Sequence, residues 1–239
     1  MIISHKHRFI FIKTKKTAGT SLEIALSKFC GREDVITPLT KEDERKRKRL
    51  GVPGARNYGK RMRDWGVEDW AYFFIKRKEP PFFFNHIKAS HVKRFLNKDI
   101  WENYLKFTVV RNPWEKMVSQ YNWRRFQTGK NFSFSEFLLR NPDLVPENWF
   151  IYANFDEPIL DYYVRFENLG EDLSKISSYI GIEEDLNSLM NQISSKNINK
   201  SRDRISPFRV GEMDRFDSEL ISYLADKEIS KFGYSFLEN

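Results

Sequence analysis

Short apolar runs alternate along the chain with segments whose apolar residues recur at helical spacing. Apolar side chains at i, i+3, i+4 and i+7 predict a helix from Leu22 to Phe29, which ends at Gly31. Strands that alternate with helices predict an α/β fold of three layers, in which helices cover both faces of a parallel sheet. The runs that predict its buried strands are rich in aromatic and β-branched residues: 8–13, 106–110 and 159–166.

Capping residues mark several helix boundaries. Asn112 followed by Pro113 predicts the start of the helix after the second strand, and Ser133 with Glu136 forms a capping box before another helix. The residues before the first run, which include His5 and His7, are interpreted as an N-terminal tail. The pattern predicts further helices within 86–96, around 173–180 and over 217–231.

Length and composition favour one folded domain over residues 1–239. Hydrophobic residues make up 40% of the chain and aromatic residues 15%, which excludes a disordered protein. No run approaches the roughly 20 apolar residues that cross a bilayer, and the N-terminus lacks the pattern of a signal peptide. The one cysteine, Cys30, cannot form an internal disulfide, which fits a reducing compartment. We therefore expect a soluble, cytoplasmic protein with no membrane partner.

The net charge of +8 favours anionic partners. Residues 41–64 carry ten Lys or Arg and four Asp or Glu, a net of +6, together with several glycines. We interpret this segment as a basic inserted loop, mobile and solvated or partly helical. It either meets an acidic or already sulfated acceptor or is simply a solvated loop. With Tyr58, Trp65 and Trp70 nearby it could instead follow a nucleic-acid backbone. No recognised nucleic-acid module accompanies it, so a basic nucleic-acid-binding protein is the less favoured alternative.

The turn between the first strand and its helix has the composition of a phosphate-binding loop. Unpaired backbone N–H groups and the positive end of the helix dipole both attract an anion, and Gly19 allows close approach. The lysine precedes the glycine, so this is not a Walker A loop. We find no strand-end Asp for magnesium, which favours a phosphate-like group bound without a metal. The predicted site residues here are Lys15, Lys16, Thr17, Ala18, Gly19, Thr20 and Ser21.

A second candidate anion site follows the second strand. Arg111 lies where open α/β sheets bind ligands, and its planar guanidinium suits a phosphate. Ser119, two turns into the next helix, could donate to the same oxygens. Alternatively, Arg111 caps a helix or pairs with a carboxylate, and Ser119 faces solvent.

These two segments resemble those of sulfotransferases that use 3′-phosphoadenosine 5′-phosphosulfate (PAPS), in particular the carbohydrate-type, family 2 branch. Residues 11–22 are similar to the 5′-phosphosulfate loop, although 13–15 read Lys-Thr-Lys where the branch commonly has His-Ile-Pro. Residues 107–121 are similar to the 3′-phosphate segment, and 164–169, 199–201 and 232–234 also match. The resemblance implies a P-loop NTPase-like sulfotransferase fold and transfer of a sulfuryl group from PAPS to a carbohydrate or glycan hydroxyl, which leaves PAP.

The resemblance also implies roles for individual residues. Lys16 would hold the bridging oxygen of the leaving group, and Arg111 with Ser119 would hold the 3′-phosphate. The general base would be a histidine, whose ordinary pKa lies near working pH. His86 stands in a segment similar to the family's H-x-x-A pattern and is our first choice, with His91 second. The loop of Lys200, Ser201 and Arg202 would touch the 3′-phosphate or the adenine.

A P-loop nucleotide kinase-like phosphotransferase is the other alternative. It requires a Walker lysine and a carboxylate for magnesium, and the sequence shows neither. Binding of PAP or of ATP separates the two functions.

Overall fold

The computed structural model describes residues 1–60, 62–78, 80–195 and 208–236. At its centre lies a five-stranded sheet in the order β3-β1-β2-β4-β7. The strands are β1 (Ile2–Ser4), β2 (Phe9–Phe11), β3 (Val35–Ile36), β4 (Leu105–Val110) and β7 (Tyr162–Arg165), and β5 (Ala153–Asn154) pairs separately with β6 (Glu157–Pro158). β2, β4 and β7 are parallel, whereas β1 is antiparallel to both β2 and β3. The predicted α/β class with a largely parallel sheet is confirmed.

Twelve α-helices are formed by the described residues. Those before β4 are α1 (Gly19–Ser27), α2 (Lys41–Arg49), α3 (Val67–Lys76), α4 (Ala89–Phe95) and α5 (Lys98–Asn103). Those between β4 and β7 are α6 (Pro113–Thr128), α7 (Phe134–Arg140) and α8 (Trp149–Tyr152). The last four are α9 (Leu169–Tyr179), α10 (Leu186–Ser195), α11 (Arg215–Leu224) and α12 (Asp226–Phe232). Within the described ranges, none is long and apolar enough to pass through a bilayer.

Side chains of the central strands alternate between two hydrophobic cores, as the two-residue period of a strand requires. Phe9, Phe11 and Phe107 point to a core that also contains apolar residues of α1, α9 and α10. Ile10 and Val110 point to the opposite core, with apolar residues of α4, α6, α7, α8 and α11. Helices therefore cover both faces of the sheet, as the sequence predicts.

The predicted helix starts at Asn112 and Ser133 are confirmed. The Asn112 side chain accepts hydrogen bonds from the backbone N–H groups of Trp114 and Glu115, with Pro113 in the first turn. The Ser133 hydroxyl accepts from the N–H of Glu136. Both caps satisfy N–H groups that lack partners within the helix.

Two expectations are wrong, and the structure decides between the two interpretations of residues 41–64. Residues 1–7 are not a tail, because Ile2–Ser4 form a buried strand between two others. The helix expected over 217–231 is two helices, α11 and α12, that meet at Ala225. The 41–64 segment is not a solvated loop throughout, because α2 occupies Lys41–Arg49 and buries Arg47 completely. The alternative of a partly helical excursion is the correct one.

Candidate active site

The loop between β2 and α1 holds an unusual backbone that favours an anion. Lys16 and Ala18 have φ angles of 61° and 56°, the left-handed region that side-chain-bearing residues rarely adopt. Alternation of left- and right-handed residues turns successive N–H groups toward one concave side, where anions bind. No side chain caps α1 at Ala18, and its first turn holds no acidic residue. The helix dipole therefore adds to the attraction.

Gly19 is required by the close approach of Lys13. A Cβ atom built on Gly19 would lie 2.9 Å from Cγ of Lys13 and 3.4 Å from the carbonyl oxygen of Thr14. Lys13 cannot easily move away, because its side chain is buried and its ammonium lies 3.1 Å from Oε2 of Glu23. The glycine therefore serves loop packing as well as access for a ligand.

Hydrogen bonds hold the loop between β4 and α8. The Thr14 hydroxyl donates to the Val109 carbonyl at 2.5 Å, which ties the loop to the parallel neighbouring strand. Buried Asn148 accepts from the N–H of Lys15 and donates to its carbonyl, both at 2.9 Å. The Lys15 ammonium donates to Glu147 at 2.6 Å. The backbone of Lys15 is thus fixed on both sides immediately before Lys16.

A buried ionic cluster supports the loop from behind. Glu23 on α1 contacts the Met1 amino group at 3.0 Å, the Lys13 ammonium at 3.1 Å and the Arg47 guanidinium at 3.1 Å. Burial alone would raise the pKa of Glu23, but these positive groups outweigh it and lower that pKa. Arg47 also donates to the Thr37 carbonyl and to Glu44. Through Arg47, the basic helix α2 is attached to the helix that follows the loop.

Arg111 reaches the same loop from the end of β4. Its Nη1 donates to the Lys16 carbonyl at 3.1 Å, and its Nη2 lies 3.3 Å from Glu115. Its guanidinium lies 4.1 Å from the ring centroid of Phe166, a cation–π contact that fixes its plane. Nε of Arg111 is buried and has no hydrogen-bond partner among the residues that the structure describes. This unsatisfied donor suits a phosphate oxygen as the missing acceptor.

Lys16 is partly buried, and its ammonium faces an aromatic ring of α6. The ammonium lies 5.2 Å from the ring centroid of Trp123, a half-exposed residue of α6. Burial, with the nearby positive charge of Arg111, lowers the pKa of Lys16 to about 8. A bound phosphate would oppose both effects, so the site favours an anion electrostatically.

His86 is held against the start of the loop. Its Nδ1 lies 3.1 Å from the Lys13 carbonyl oxygen. A carbonyl only accepts, so Nδ1 carries the proton and Nε2 of the neutral ring keeps its lone pair. Burial and the positive charge of Lys13 lower the pKa of His86 to about 4. The ring is therefore neutral at physiological pH, as a general base must be.

The fold brings most of the predicted residues to one edge of the sheet. Thr20 and Ser21 lie in the first turn of α1, and Ser119 lies half-buried on α6. Thr17 is buried, and its hydroxyl contacts that of Thr14 at 2.9 Å, so its backbone N–H is the group left to meet a ligand. His91 lies on the exposed side of α4, beside Phe95. The remaining predicted residues, Lys200, Ser201 and Arg202, fall outside the described ranges.

Several residues of this site carry no signal that local sequence reasoning can detect. Asn148 and Trp123 approach the loop only through the fold. Glu167 accepts a hydrogen bond from the N–H of Asn112 at 2.6 Å, and Phe166 packs under Arg111. The match at 164–169 points to this pair, although not to its role as a support for Arg111.

Comparison with known proteins gives two matches. A family model described as "Sulfotransferase family" matches residues 1–229 of the chain. An uncharacterized protein of Archaeoglobus fulgidus is 32% identical over 123 residues, which cover 47% of this chain and 97% of that protein. No solved structure matches.

Proposed function

The chain belongs to the sulfotransferase family, and from that premise we propose that it transfers a sulfuryl group from PAPS to a hydroxyl group of a carbohydrate acceptor. The observation that carries the proposal is the linkage of three functional groups at one sheet edge. The His86 ring contacts the Lys13 carbonyl, Lys16 follows Lys13 by three residues, and the Arg111 guanidinium donates a hydrogen bond to the Lys16 carbonyl. A P-loop NTPase-like fold belongs to the same proposal, supported by the strand–loop–helix from β2 to α1.

The proposal gives the two phosphate-bearing ends of PAPS separate positions. The loop from Lys15 to Ser21 and the start of α1 receive the 5′-phosphosulfate, because left-handed residues and an uncapped helix start direct N–H groups at an anion. Arg111 and Ser119 receive the 3′-phosphate, with Nε of Arg111, which has no partner within the described part of the chain, available as a donor. Lys200, Ser201 and Arg202 are proposed to contact the nucleotide on the same side.

The reaction then needs one base and one cation. Nε2 of His86 accepts the proton of the acceptor hydroxyl while its oxygen forms a bond to sulfur. The bond between sulfur and the bridging oxygen breaks, and the Lys16 ammonium stabilises the negative charge that grows on that oxygen. The products are the sulfate ester and PAP.

An aromatic side chain beside Lys16, with a second one further along α6, supports a sugar acceptor. Trp123 is 43% exposed and Phe126, one turn further along α6, is 53% exposed. An exposed ring at the mouth of a polar site offers a flat apolar surface on which the C–H face of a sugar can pack. The adjacent Lys16 would keep the hydroxyl of such a sugar close to the sulfuryl group.

Ligand-induced stabilisation tests the proposal and separates it from the kinase alternative. At a hundredfold excess over its Kd, PAP adds about 2.7 kcal/mol of stability, which corresponds to a Tm rise of about 5–11 °C for a chain of this size. ATP with magnesium should give a much smaller rise. The variant Arg111→Met should abolish the response to PAP, whereas Lys98→Met, on an exposed side chain of α5, should keep it. A larger response to ATP with magnesium would contradict the proposal.

Turnover with PAPS and a panel of sugars tests the roles of the two histidines. His86→Ala should reduce kcat by about 10²–10⁴-fold, the usual contribution of a general base. His91→Ala should leave it near the wild-type value. The reverse result would move the base to His91.

A further inference from the structure

Helix α3 presents an apolar face to solvent. Val67, Trp70, Ala71, Phe74 and Ile75 follow the spacing i, i+3, i+4, i+7 and i+8, which places them on one side of a helix. All five are exposed, including Val67 at 86%, Phe74 at 72% and Ile75 at 75%. Contiguous exposed apolar surface of this kind marks an interaction site in soluble proteins.

The side of α3 away from Val67 and Ile75 packs on the residues just before the helix. Trp70, at the margin of the apolar face, shares this packing, with its ring centroid 4.8 Å from that of Trp65. Phe73 packs against Trp65, with 5.3 Å between their ring centroids, and the Trp65 indole donates to the Lys60 carbonyl at 2.7 Å. Asp69 accepts from the ammonium of Lys60 at 2.5 Å and from the N–H of Gly66 at 2.8 Å. These local contacts involve one side of the helix, and the side that carries Val67, Phe74 and Ile75 is the exposed one.

Positive charge borders this face. Lys76, Arg77 and Lys78 are exposed at the C-terminal end of α3, and Arg63 is exposed before its start. Of the two acidic residues in the first turn, Asp69 is already paired with Lys60, which leaves Glu68 as the exposed one. Over residues 60–79 the sequence carries six Lys or Arg and four Asp or Glu, a net of +2, in a chain whose net charge is +8.

We propose that α3 lies in the interface of an anionic lipid bilayer, with its apolar face inserted and its basic end against the headgroups. An amphipathic helix with Trp and Phe on one face and Lys and Arg at its border has the pattern of an interfacial helix. Tryptophan and tyrosine favour this depth, and Trp70 and Tyr72 are both exposed. A surface-bound helix needs no membrane-crossing length, so the absence of such a length among the described helices is compatible with it.

The experiment uses the full chain and vesicles of phosphatidylcholine, with and without a large fraction of phosphatidylglycerol. The wild type should sediment with the anionic vesicles and much less with the neutral ones, and its tryptophan emission should shift to shorter wavelength as Trp70 leaves water. High salt should weaken binding because it screens the basic residues. No binding to anionic vesicles would overturn the proposal.

Two variants test the two parts of the surface. Val67→Ser/Phe74→Ser/Ile75→Ser should abolish sedimentation while it leaves Trp70 as a reporter. Lys76→Gln/Arg77→Gln/Lys78→Gln should lower partitioning onto anionic vesicles on the order of 100-fold, because each basic residue near the surface contributes about fivefold. If either variant bound like the wild type, the assignment of α3 would be wrong.

Phe155→Ser/Tyr223→Ser is the matched control. These aromatic side chains are 86% and 79% exposed, but both residues lie outside α3. The control should bind like the wild type, and loss of its binding would overturn the assignment to α3.

A second copy of the chain is the rival occupant of the apolar face. Light scattering could show a wild-type dimer that becomes a monomer in Val67→Ser/Phe74→Ser/Ile75→Ser. If the wild type also bound no vesicles, this result would overturn the proposal in favour of self-association.

The inference goes beyond the proposed sulfuryl transfer and can fail independently of it. Every α3 variant should keep the Tm rise on addition of PAP, which also shows that the variant is folded. A lost response to PAP in the wild type would count against the proposed function alone.

Discussion

Replacing Arg47 by methionine tests whether the basic helix α2 is part of the folded core or only a solvated surface. The Arg47 side chain is fully buried, and it contacts Glu23, Glu44 and the Thr37 carbonyl at 2.7–3.1 Å. Removal of one partner from a buried ion pair costs about 3–5 kcal/mol. We expect the lower end, about 3 kcal/mol, because Lys13 still faces Glu23 in the variant. For a chain of this size the Tm should fall by about 6–12 °C.

The matched control is Arg45→Met, two residues earlier on the same helix. Arg45 is exposed, so its replacement should change stability by no more than about 0.5 kcal/mol. Thermal unfolding by circular dichroism and urea unfolding measure both variants in the absence of ligand. A Tm of Arg47→Met equal to that of the wild type would refute the buried contact. A loss of stability in Arg45→Met as large as in Arg47→Met would show that any charge change in α2 has this effect.

Three further predictions concern the candidate site. The value of kcat/KM should rise through about pH 4 as His86 loses its proton and fall through about pH 8 as Lys16 loses its proton. Lys16→Arg should remove the fall at alkaline pH. An unchanged alkaline limb in that variant would exclude Lys16 as its cause. Gly19→Ala should cost about 1–3 kcal/mol by overpacking against Lys13 and should weaken PAP binding; an unchanged Tm and Kd in calorimetry would contradict the close packing. Trp123→Ala should raise KM for a sugar acceptor and leave the Kd of PAP unchanged; a change confined to PAP would remove Trp123 from the acceptor side.

The pH dependence should differ between the free and the donor-bound protein. The pKa of Lys16 is lowered by burial and by Arg111, so the free protein loses the Lys16 charge near pH 8. Anionic groups of bound PAPS favour the charged ammonium and raise that pKa. The alkaline limb of kcat, which reports the complex, should therefore lie at higher pH than that of kcat/KM. Coincident limbs would mean that no phosphate lies near Lys16.

Local patterns predict the parts of the fold that depend on local physics. Apolar runs identify β2 and β4, and the Asn112 cap with Pro113 locates the start of α6, because strand burial and helix capping leave their marks within a few residues. The loop at Lys16 and the sheet-edge position of Arg111 follow from the same patterns. The sequence alone therefore predicts which edge of the sheet carries the candidate site.

Contacts between distant segments account for what the sequence does not predict. Nothing in the basic run separates Arg47 from Arg45, since the partner of Arg47 is Glu23 on another helix. β1 has three residues, too few for a periodic signal, and it exists because it pairs on both sides. Asn148 reaches Lys15 only after the chain has folded around the sheet. Each of these residues depends on a partner that is remote along the chain.

The residues on either side of the segment that carries α3 have a consequence for protein engineering. Gly59 pairs with Pro81 across an antiparallel bridge, and the N–H of Lys60 donates to the Pro80 carbonyl at 3.0 Å, so Lys60 and Pro80 already meet. A tight reverse turn of two residues is sufficient to join strands at this separation. The intervening segment is therefore a candidate for excision or for exchange with a foreign recognition peptide, with the sheet and the candidate site left in place.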